Sequence, residues 1–357
     1  DHQQGAGTRR GNGAGTAPAA GGPAQEAFTG LYEDEYGEAP GVFTTQSYDS
    51  VAVGILANVA AGENSGTGIR DQMRNVANPD GMEVTPDNFV EGVEAVANGD
   101  PVNYQGASSD VNFNEAGDPA NAAYDVWEFT GDGGTEATDT LNFEGDNPDG
   151  AGPSADTIEG GFGRTVDVGI LLPETGNLAS VGEGMINAAE IPAMQVNNAD
   201  VDIQVETQLE DTNTSPNTGI QAANSLVNAG VPYICGSASS GVNVPVSQQA
   251  LIPNQVVGCS PSSTALSVTN LEDDDYIFRT APSDLLQGRV MAQVASEQLD
   301  AEVATTLYVN NDYGQQLSEQ FASVFENDFD GTVEAQVAYN QNEDSYTSAV
   351  QEALGGN

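Results

Sequence analysis

The amino-acid sequence predicts an α/β protein in which a parallel sheet carries helices on its faces. Short apolar runs at Val166–Leu172, Val231–Cys235 and Val256–Cys259 have the length of buried strands. Val201–Leu209 alternates Val and Ile with polar residues, as a half-buried strand does. Between these runs lie two stretches of helical spacing, Val181–Val196 and Ser215–Ala229. Strand, helix, strand, helix in that order means a parallel sheet with crossover helices.

Each element has its own local signal. Asp1–Gly15 is rich in Gly, Gln and Arg, follows no pattern, and is expected to be disordered or spliced-in sequence. Pro23–Tyr36 places Phe28, Leu31, Tyr32 and Tyr36 on one helical stripe. Tyr48–Ala61 is a strong helix in which Val51, Ala52, Ile55, Leu56, Val59 and Ala60 recur with the helical period, and Gly62 stops it. Gly68–Asn75 is a short helix and Asn78–Gly81 a turn. Another helix starts at Thr85, capped by Pro86-Asp87, with Phe89, Val93 and Val96 inward. Tyr104–Phe113 and Tyr124–Phe129 are expected strands, separated by a turn at Gly117-Asp118. Thr130–Arg164 is acidic, rich in Gly, Asp and Pro and barely apolar, so it is expected to be a linker. In the helix over Val181–Val196, Met185, Ala188, Ala189 and Ala193 keep the spacing, broken only by Pro192. The helix over Ser215–Ala229 has Ser215 as N-cap, Pro216 in its first turn and Gly230 as C-cap.

The chain has 357 residues, enough for two domains, and a formal net charge of −47 from 54 acidic and seven basic residues. All the basic residues are Arg. High charge alone is one signature of disorder. Against that, 38% of residues are apolar and the patterning is regular. A folded protein adapted to high salt accounts for both, because dense surface carboxylates repel at low ionic strength and are screened at high. The charge argues against a nucleic-acid partner, which needs a basic footprint, and against docking on anionic lipid. No signal-peptide pattern is present, and no run approaches the ~20 apolar residues that span a bilayer. Cys235 and Cys259 each end a strand of the same sheet. They are either two buried free thiols or, if the strands are neighbours, a disulfide pair.

In parallel sheets ligands bind outside the carboxyl ends of the strands. Three such exits, Pro173–Ser180, Gly236–Val242 and Ser260–Thr264, are rich in small residues, hydroxyls and backbone donors. That chemistry holds a small polar ligand. It does not suit catalysis: the one His is His2, which removes a Ser-His-Asp triad and most zinc chemistry. Ser239-Ser-Gly241 is not a nucleophile elbow, and no Gly-rich phosphate loop carries a Lys. The acidic run Glu272–Asp275 lacks the spacing of a calcium loop and is expected to be a solvated face. No enzyme activity, cofactor or metal is expected.

Several of these stretches resemble one family in order. Val168–Gly182, Ile234–Gly241, Ser260–Thr264, Phe278–Thr280 and Tyr308–Gly314 resemble the amino-terminal half of the branched-chain amino acid (Leu/Ile/Val) binding proteins of ABC importers. Gly15–Pro18, Phe43–Ser50, Tyr104–Ala107, Val111–Asp118 and Tyr124–Phe129 resemble the family's carboxyl-terminal part, which here comes first. The chain therefore looks circularly permuted; a tail-to-head join of two tandem genes would read the same. The resemblance implies a type I periplasmic-binding fold, two α/β lobes around a cleft. Lobe one would take residues 16–99 and 165–281. Lobe two would take 100–129 and 282–357 and be incomplete, because one or two βα units of the family, each of roughly 30 residues, are missing. Residues 130–164 would link old end to old beginning.

The resemblance also implies site residues. Ser240 matches the hydroxyl that binds the ligand carboxylate, with Ala238 and Ser239 beside it, and Ser262 and Thr264 match the next pair. Tyr313 matches the second-lobe tyrosine that closes over the ligand. At Val181 the family often has an aromatic. The acid that pairs with the ligand ammonium would lie in the missing segment. Arg279 is expected to be structural and paired with a carboxylate, and Trp127 to be core. The implied protein is an extracellular, cell-surface component that binds an amino acid, hands it to an ABC permease and acts as a monomer. The alternatives are a receptor's ligand-sensing domain, marked by a fused transducer helix or anchor, and a rearranged fragment that folds without binding.

The charge generates a first prediction. The thermal unfolding midpoint, followed by circular dichroism, should rise steeply between low and molar salt, and a midpoint independent of salt would contradict the reading.

Overall fold

The computed structural model describes residues 14–19, 21–78, 80–130, 134–144 and 152–355. In chain order the elements are β1 (Ala14–Pro18), α1 (Gln25–Tyr36), α2 (Thr44–Ala61), α3 (Gly66–Ala77), β2 (Met82–Val84), α4 (Phe89–Ala97), β3 (Val102–Tyr104), β4 (Asn121–Phe129) and β5 (Thr135–Glu144). They continue with β6 (Arg164–Leu172), α5 (Ala179–Asn198), β7 (Ile203–Asp211), α6 (Pro216–Ala229), β8 (Tyr233–Gly236), α7 (Ser240–Val246), β9 (Val257–Ser260), α8 (Leu266–Thr269) and β10 (Ile277–Arg279). The last are α9 (Asp284–Gln293), β11 (Val303–Val309), α10 (Asp312–Asn327), β12 (Thr332–Tyr339) and α11 (Thr347–Ala353).

The expected fold class holds: parallel sheets flanked by helices. The principal sheet has the order β10-β9-β8-β6-β7 and is parallel throughout. β6, β8 and β9 sit inside it, which is why their sequences are nearly all apolar. β7 lies at an edge and alternates. α6 begins and ends as its sequence dictates: Ser215 Oγ accepts from Thr218 N, and Gly230 closes the helix in the left-handed region. α5 runs unbroken through Pro192. The proline removes one helical hydrogen bond, but the burial of Ala188, Ala189, Ala193 and Val196 on both sides of it keeps the helix intact.

α2 is buried from Thr44 to Ala60 and packs on β6, β8 and β9, with α3, α4 and α5 around it. Gly54 allows the close approach, since a Cβ there would lie 2.2 Å from the Tyr233 ring. Tyr233 Oη donates to Ser50 O at 2.5 Å, Ser50 Oγ to Cys259 O at 2.9 Å, and Tyr48 Oη to Gln195 Oε1 at 2.6 Å. A helix from the first third of the chain thus completes the core of a sheet that starts more than a hundred residues later.

Several expectations are corrected. Residues 1–13 lie outside the described residues, but Ala14 and Gly15 belong to β1. Of the expected strand Tyr104–Phe113, only Tyr104 is in a strand, β3, which pairs in parallel with β2. The chain then wraps around the buried carboxylate of Asp49. Tyr104 Oη (2.7 Å), Ala107 N (2.9 Å), Ser108 N (2.7 Å) and Ser108 Oγ (2.5 Å) all donate to it. A carboxylate thereby takes the backbone donors that a neighbouring strand would have taken. The expected boundary between residues 99 and 100 falls within the β2–β3 pair, and Val102, Tyr104, Val111 and Phe113 share the core of the principal sheet.

The expected linker, residues 130–164, contains β5, which pairs antiparallel with β4 in the sheet β1-β4-β5. Polarity misled there because most of β5 is exposed; only Leu141 and Phe143 pack inward, beside Tyr124 and Val290. Trp127 is half-buried against Phe129, outside the core, with ring centroids 5.1 Å apart. The acidic run is only partly solvated: Asp275 pairs with Arg74 at 2.8 Å, and Asp273 accepts from Asp275 N and Ile277 N. Cys235 and Cys259 face each other in register on β8 and β9 as free, buried thiols, and burial pushes both up to about 12. β11 and β12 form a separate parallel pair, with α10 packed on both strands and on α9.

Arg279 bears out its structural reading. Fully buried, it donates to Asp118 Oδ1 at 2.5 Å and Oδ2 at 2.7 Å, to Ser263 O at 3.0 Å and Ala265 O at 3.1 Å, and to Thr269 Oγ1. Removing one member of such a pair leaves a buried charge. Arg279→Met should therefore destabilise the protein by about 3–5 kcal/mol in denaturant unfolding at molar salt. Adding Asp118→Asn to that variant should recover part of the loss.

Candidate functional site

The exits of β8 and β9 are laced together by serine hydroxyls. Ser260 Oγ and Ser263 Oγ donate to Ser237 O at 2.7 and 2.8 Å, and Ser262 Oγ donates to Ala238 O at 2.9 Å. Ala265 N donates to Ser240 Oγ at 3.2 Å. Ser and Thr suit this work because their short hydroxyls reach neighbouring backbone where a strand ends.

The two exits form one wall of a cleft of about 640 Å³. All six residues expected at the site, Ala238, Ser239, Ser240, Ser262, Thr264 and Tyr313, line it. Their donors are not equally free. The Ser262 proton is spent on Ala238 O. Ser240 Oγ accepts from the Ala265 amide, so its own proton remains available to donate. Tyr313 stands 36% exposed in the first turn of α10, alongside Asn311 and Asp312, which also line the cleft. Leu178, Val181 and Met185 of the β6 exit and α5 supply apolar wall. Among the described residues, Asp312 is the charged one that lines the cleft, and no Arg, Lys or His does.

Sequence reasoning missed other lining residues. Thr16, Ala17 and Pro18 come from β1, while Val42 and Phe43 precede α2. Phe43 sits at φ 62°, an uncommon conformation for an aromatic residue. The early motifs had contained these positions, but nothing local says that they reach the cleft. Gln341, from the loop after β12, also lines it.

One layer behind the wall lies Asp284, at the start of α9. It is 0% exposed, and neither carboxylate oxygen has a hydrogen-bond partner among the described residues. Burial pushes it up to about 6, against the pull of the nearby Thr264 hydroxyl, which is not aligned as a hydrogen bond, and of Arg279.

A family model for periplasmic binding protein matches residues 165–357, more than half of the chain. The chain belongs to the periplasmic binding protein family. This agrees with a site built to hold a solute rather than transform one. The binding protein is 29% identical to Leu/Ile/Val-binding protein homolog 3 of Brucella melitensis over 160 residues, 44% of this chain and 42% of that protein. It is 31% identical over 174 residues, 45% of this chain and 41% of the relative, to the chemotactic signal transduction system substrate-binding protein BasB of Halobacterium salinarum. The match thus spans less than half the length of either relative. Among solved structures, a leucine binding protein LivK of Thermotoga maritima is similar with 24% identity and a TM-score of 0.48, covering 53% of each chain. LivJ of Streptococcus pneumoniae, in complex with isoleucine, has 24% identity and a TM-score of 0.48, covering 54% of this chain and 55% of that one.

Asp284 generates a pH prediction. Its folded-state pKa is raised, so the carboxylate weakens the fold above about pH 6 and costs nothing below the ordinary carboxylate range near ~4. Asp284→Asn should be more stable than the wild type at pH 8, by up to about 3 kcal/mol. That advantage should vanish as pH falls from 6 to 4 in denaturant titrations.

Proposed function

We propose that this protein is the extracellular solute-binding component of an ABC importer, and that it binds an aliphatic amino acid in the cleft. The first lobe is the body around the principal sheet. The second is built on α9, β11, α10 and β12, and the two close on the ligand by a hinge. The ligand carboxylate docks on the Ser240 hydroxyl, Thr264 and backbone N–H groups of the β8 and β9 exits. Its side chain lies against Leu178, Val181 and Met185, and Tyr313 closes from the opposite side. One observation carries the reading: Ser240 and Thr264 lie at the exits of different strands yet line one cleft, with a hydroxyl proton left to donate. Hydroxyls and amides hold an anion without a full countercharge, which suits a cleft lined by no cation among the described residues.

The Leu/Ile/Val-binding names of the relatives support this ligand class. The order of the chain is read as a circular permutation, tolerated because α2 still reaches the sheet it completes. The charge of −47 is read as adaptation to high salt. The partner is a membrane permease, and the protein acts as a monomer. A second reading rests on the similarity to BasB, named a chemotactic signal transduction system substrate-binding protein. In that reading the same cleft serves a chemotaxis transducer.

Calorimetric titration with leucine, isoleucine and valine in molar salt tests the proposal. At least one should bind, and Ser240→Ala should weaken it about tenfold or more, the value of a hydrogen bond to a charged group. If no amino acid binds, the chain is no functional amino-acid carrier. Pull-down with a permease against a transducer separates the two readings.

A further inference from the structure

A side-chain hydrogen bond crosses the mouth of the cleft. Asn177 Nδ2 donates to Gln341 Oε1 at 2.9 Å, joining the β6 exit to the loop after β12. Gln341 and Leu178, the neighbour of Asn177, both line the cleft, so the bond lies at its rim. Both side chains are long, exposed amides, and an isolated bond between such groups contributes little because each costs entropy to fix. Here the loops that carry them are tied down by hydrogen bonds of their own.

On one side, Asp211 at the end of β7 accepts from Glu174 N at 3.0 Å, Thr175 N at 3.1 Å, Asn213 N at 2.7 Å and the Thr175 hydroxyl. Asn213 Nδ2 donates to Thr175 Oγ1 at 2.7 Å, and Leu178 N donates to Thr214 Oγ1 at 3.1 Å. Gly176 fits between them at φ 87°; a Cβ there would lie 2.3 Å from Asn213 O. On the other side, Asn310 Nδ2 donates to Asn340 Oδ1 at 2.9 Å and Asn340 Nδ2 to Glu343 Oε1 at 2.8 Å, which fixes the residues flanking Gln341.

We propose that Asn177 and Gln341 form a latch across the cleft mouth, presented by two rigid loops, that sets how long a bound solute is retained. The proposal rests on the solute-binding reading of the same cleft and adds the residues that govern release. The latch is neutral, so it keeps its strength in molar salt, where the ~3 Å Debye length weakens exposed ion pairs. Asp211 acts only as a positioning residue.

The test uses the full chain in molar salt, with leucine as probe. Leucine dissociation, followed by stopped flow, should be about three- to tenfold faster in Asn177→Ala or Gln341→Ala, the value of one hydrogen bond. The double variant should be no faster than either single one. A second readout needs no ligand. Small-angle scattering of the free protein should give a larger radius of gyration for the Asn177→Ala, Gln341→Ala double variant than for the wild type. Additive rate effects, or an unchanged radius in the doubly substituted variant, would overturn the latch. If leucine does not bind the wild type, the amino-acid reading fails while the scattering still decides the latch.

Discussion

A helix with no exposed face can exist only where something covers it all round, and α2 is such a helix. Its residues from Thr44 to Ala60 need β6, β8 and β9 on one side and α3, α4 and α5 on the others. Each of those strands lies after the acidic segment in the chain, whereas α3 and α4 lie before it. Neither part of the sequence can bury its apolar surface without the other. Ser50, Gly54 and Tyr48 make the dependence specific, through hydrogen bonds to Cys259 O and Gln195 and a backbone approach that only glycine permits. Arg279 and Asp118 add a second tie across the same divide.

Given that core, the site follows from what is scarce. The chain has no Lys, and its buried Arg side chains are committed to structure. Arg279 is ligated by Asp118 and two carbonyls, and Arg74 by Asn114 O, Glu115 O and Asp275. Among the described residues, what the cleft wall offers an anion is hydroxyls and amides at strand ends. The serines do two tasks there. Ser260, Ser262 and Ser263 stitch one exit to the other, whereas Ser240 keeps a proton to offer. A single Ser-rich sequence thus splits into members whose hydroxyl protons are spent on backbone carbonyls and one, Ser240, whose proton is not, which residue type alone does not reveal.

That difference explains what was legible in the sequence. The principal sheet could be read because β6, β8 and β9 are buried on both faces and β7 on one, and each condition leaves its own periodicity. The cap residues Ser215 and Gly230 were legible because their chemistry is local. β5 was not: an exposed edge strand with acidic and Thr residues looks like a linker, and its pairing with β4 is a non-local event. The loop around Asp49 was hidden for a related reason, since a buried carboxylate more than fifty residues away replaces a strand neighbour. All six expected site residues line the cleft, yet β1 and Phe43, which line it too, reach it only through tertiary structure.

Two acids near the cleft show how environment, rather than residue type, assigns roles. Asp211 lies near the surface. Burial pushes its carboxyl up, but the donors of Thr175, Asn213 and Glu174 together outweigh that push and hold it below the ordinary carboxylate range. Its contribution is present at neutral pH and lost only in acid, so the rim loop it holds is in place wherever the protein is folded. Asp284 is the reverse case: buried, without a hydrogen bond, and raised to about 6. Keeping a charge there weakens the fold at neutral pH, and it does so directly behind Thr264, the residue whose backbone carbonyl accepts from Asp284 N at 2.8 Å. The rim at Asp211 is thus tied down by four hydrogen bonds to one carboxylate, whereas the carboxylate behind Thr264 has none among the described residues.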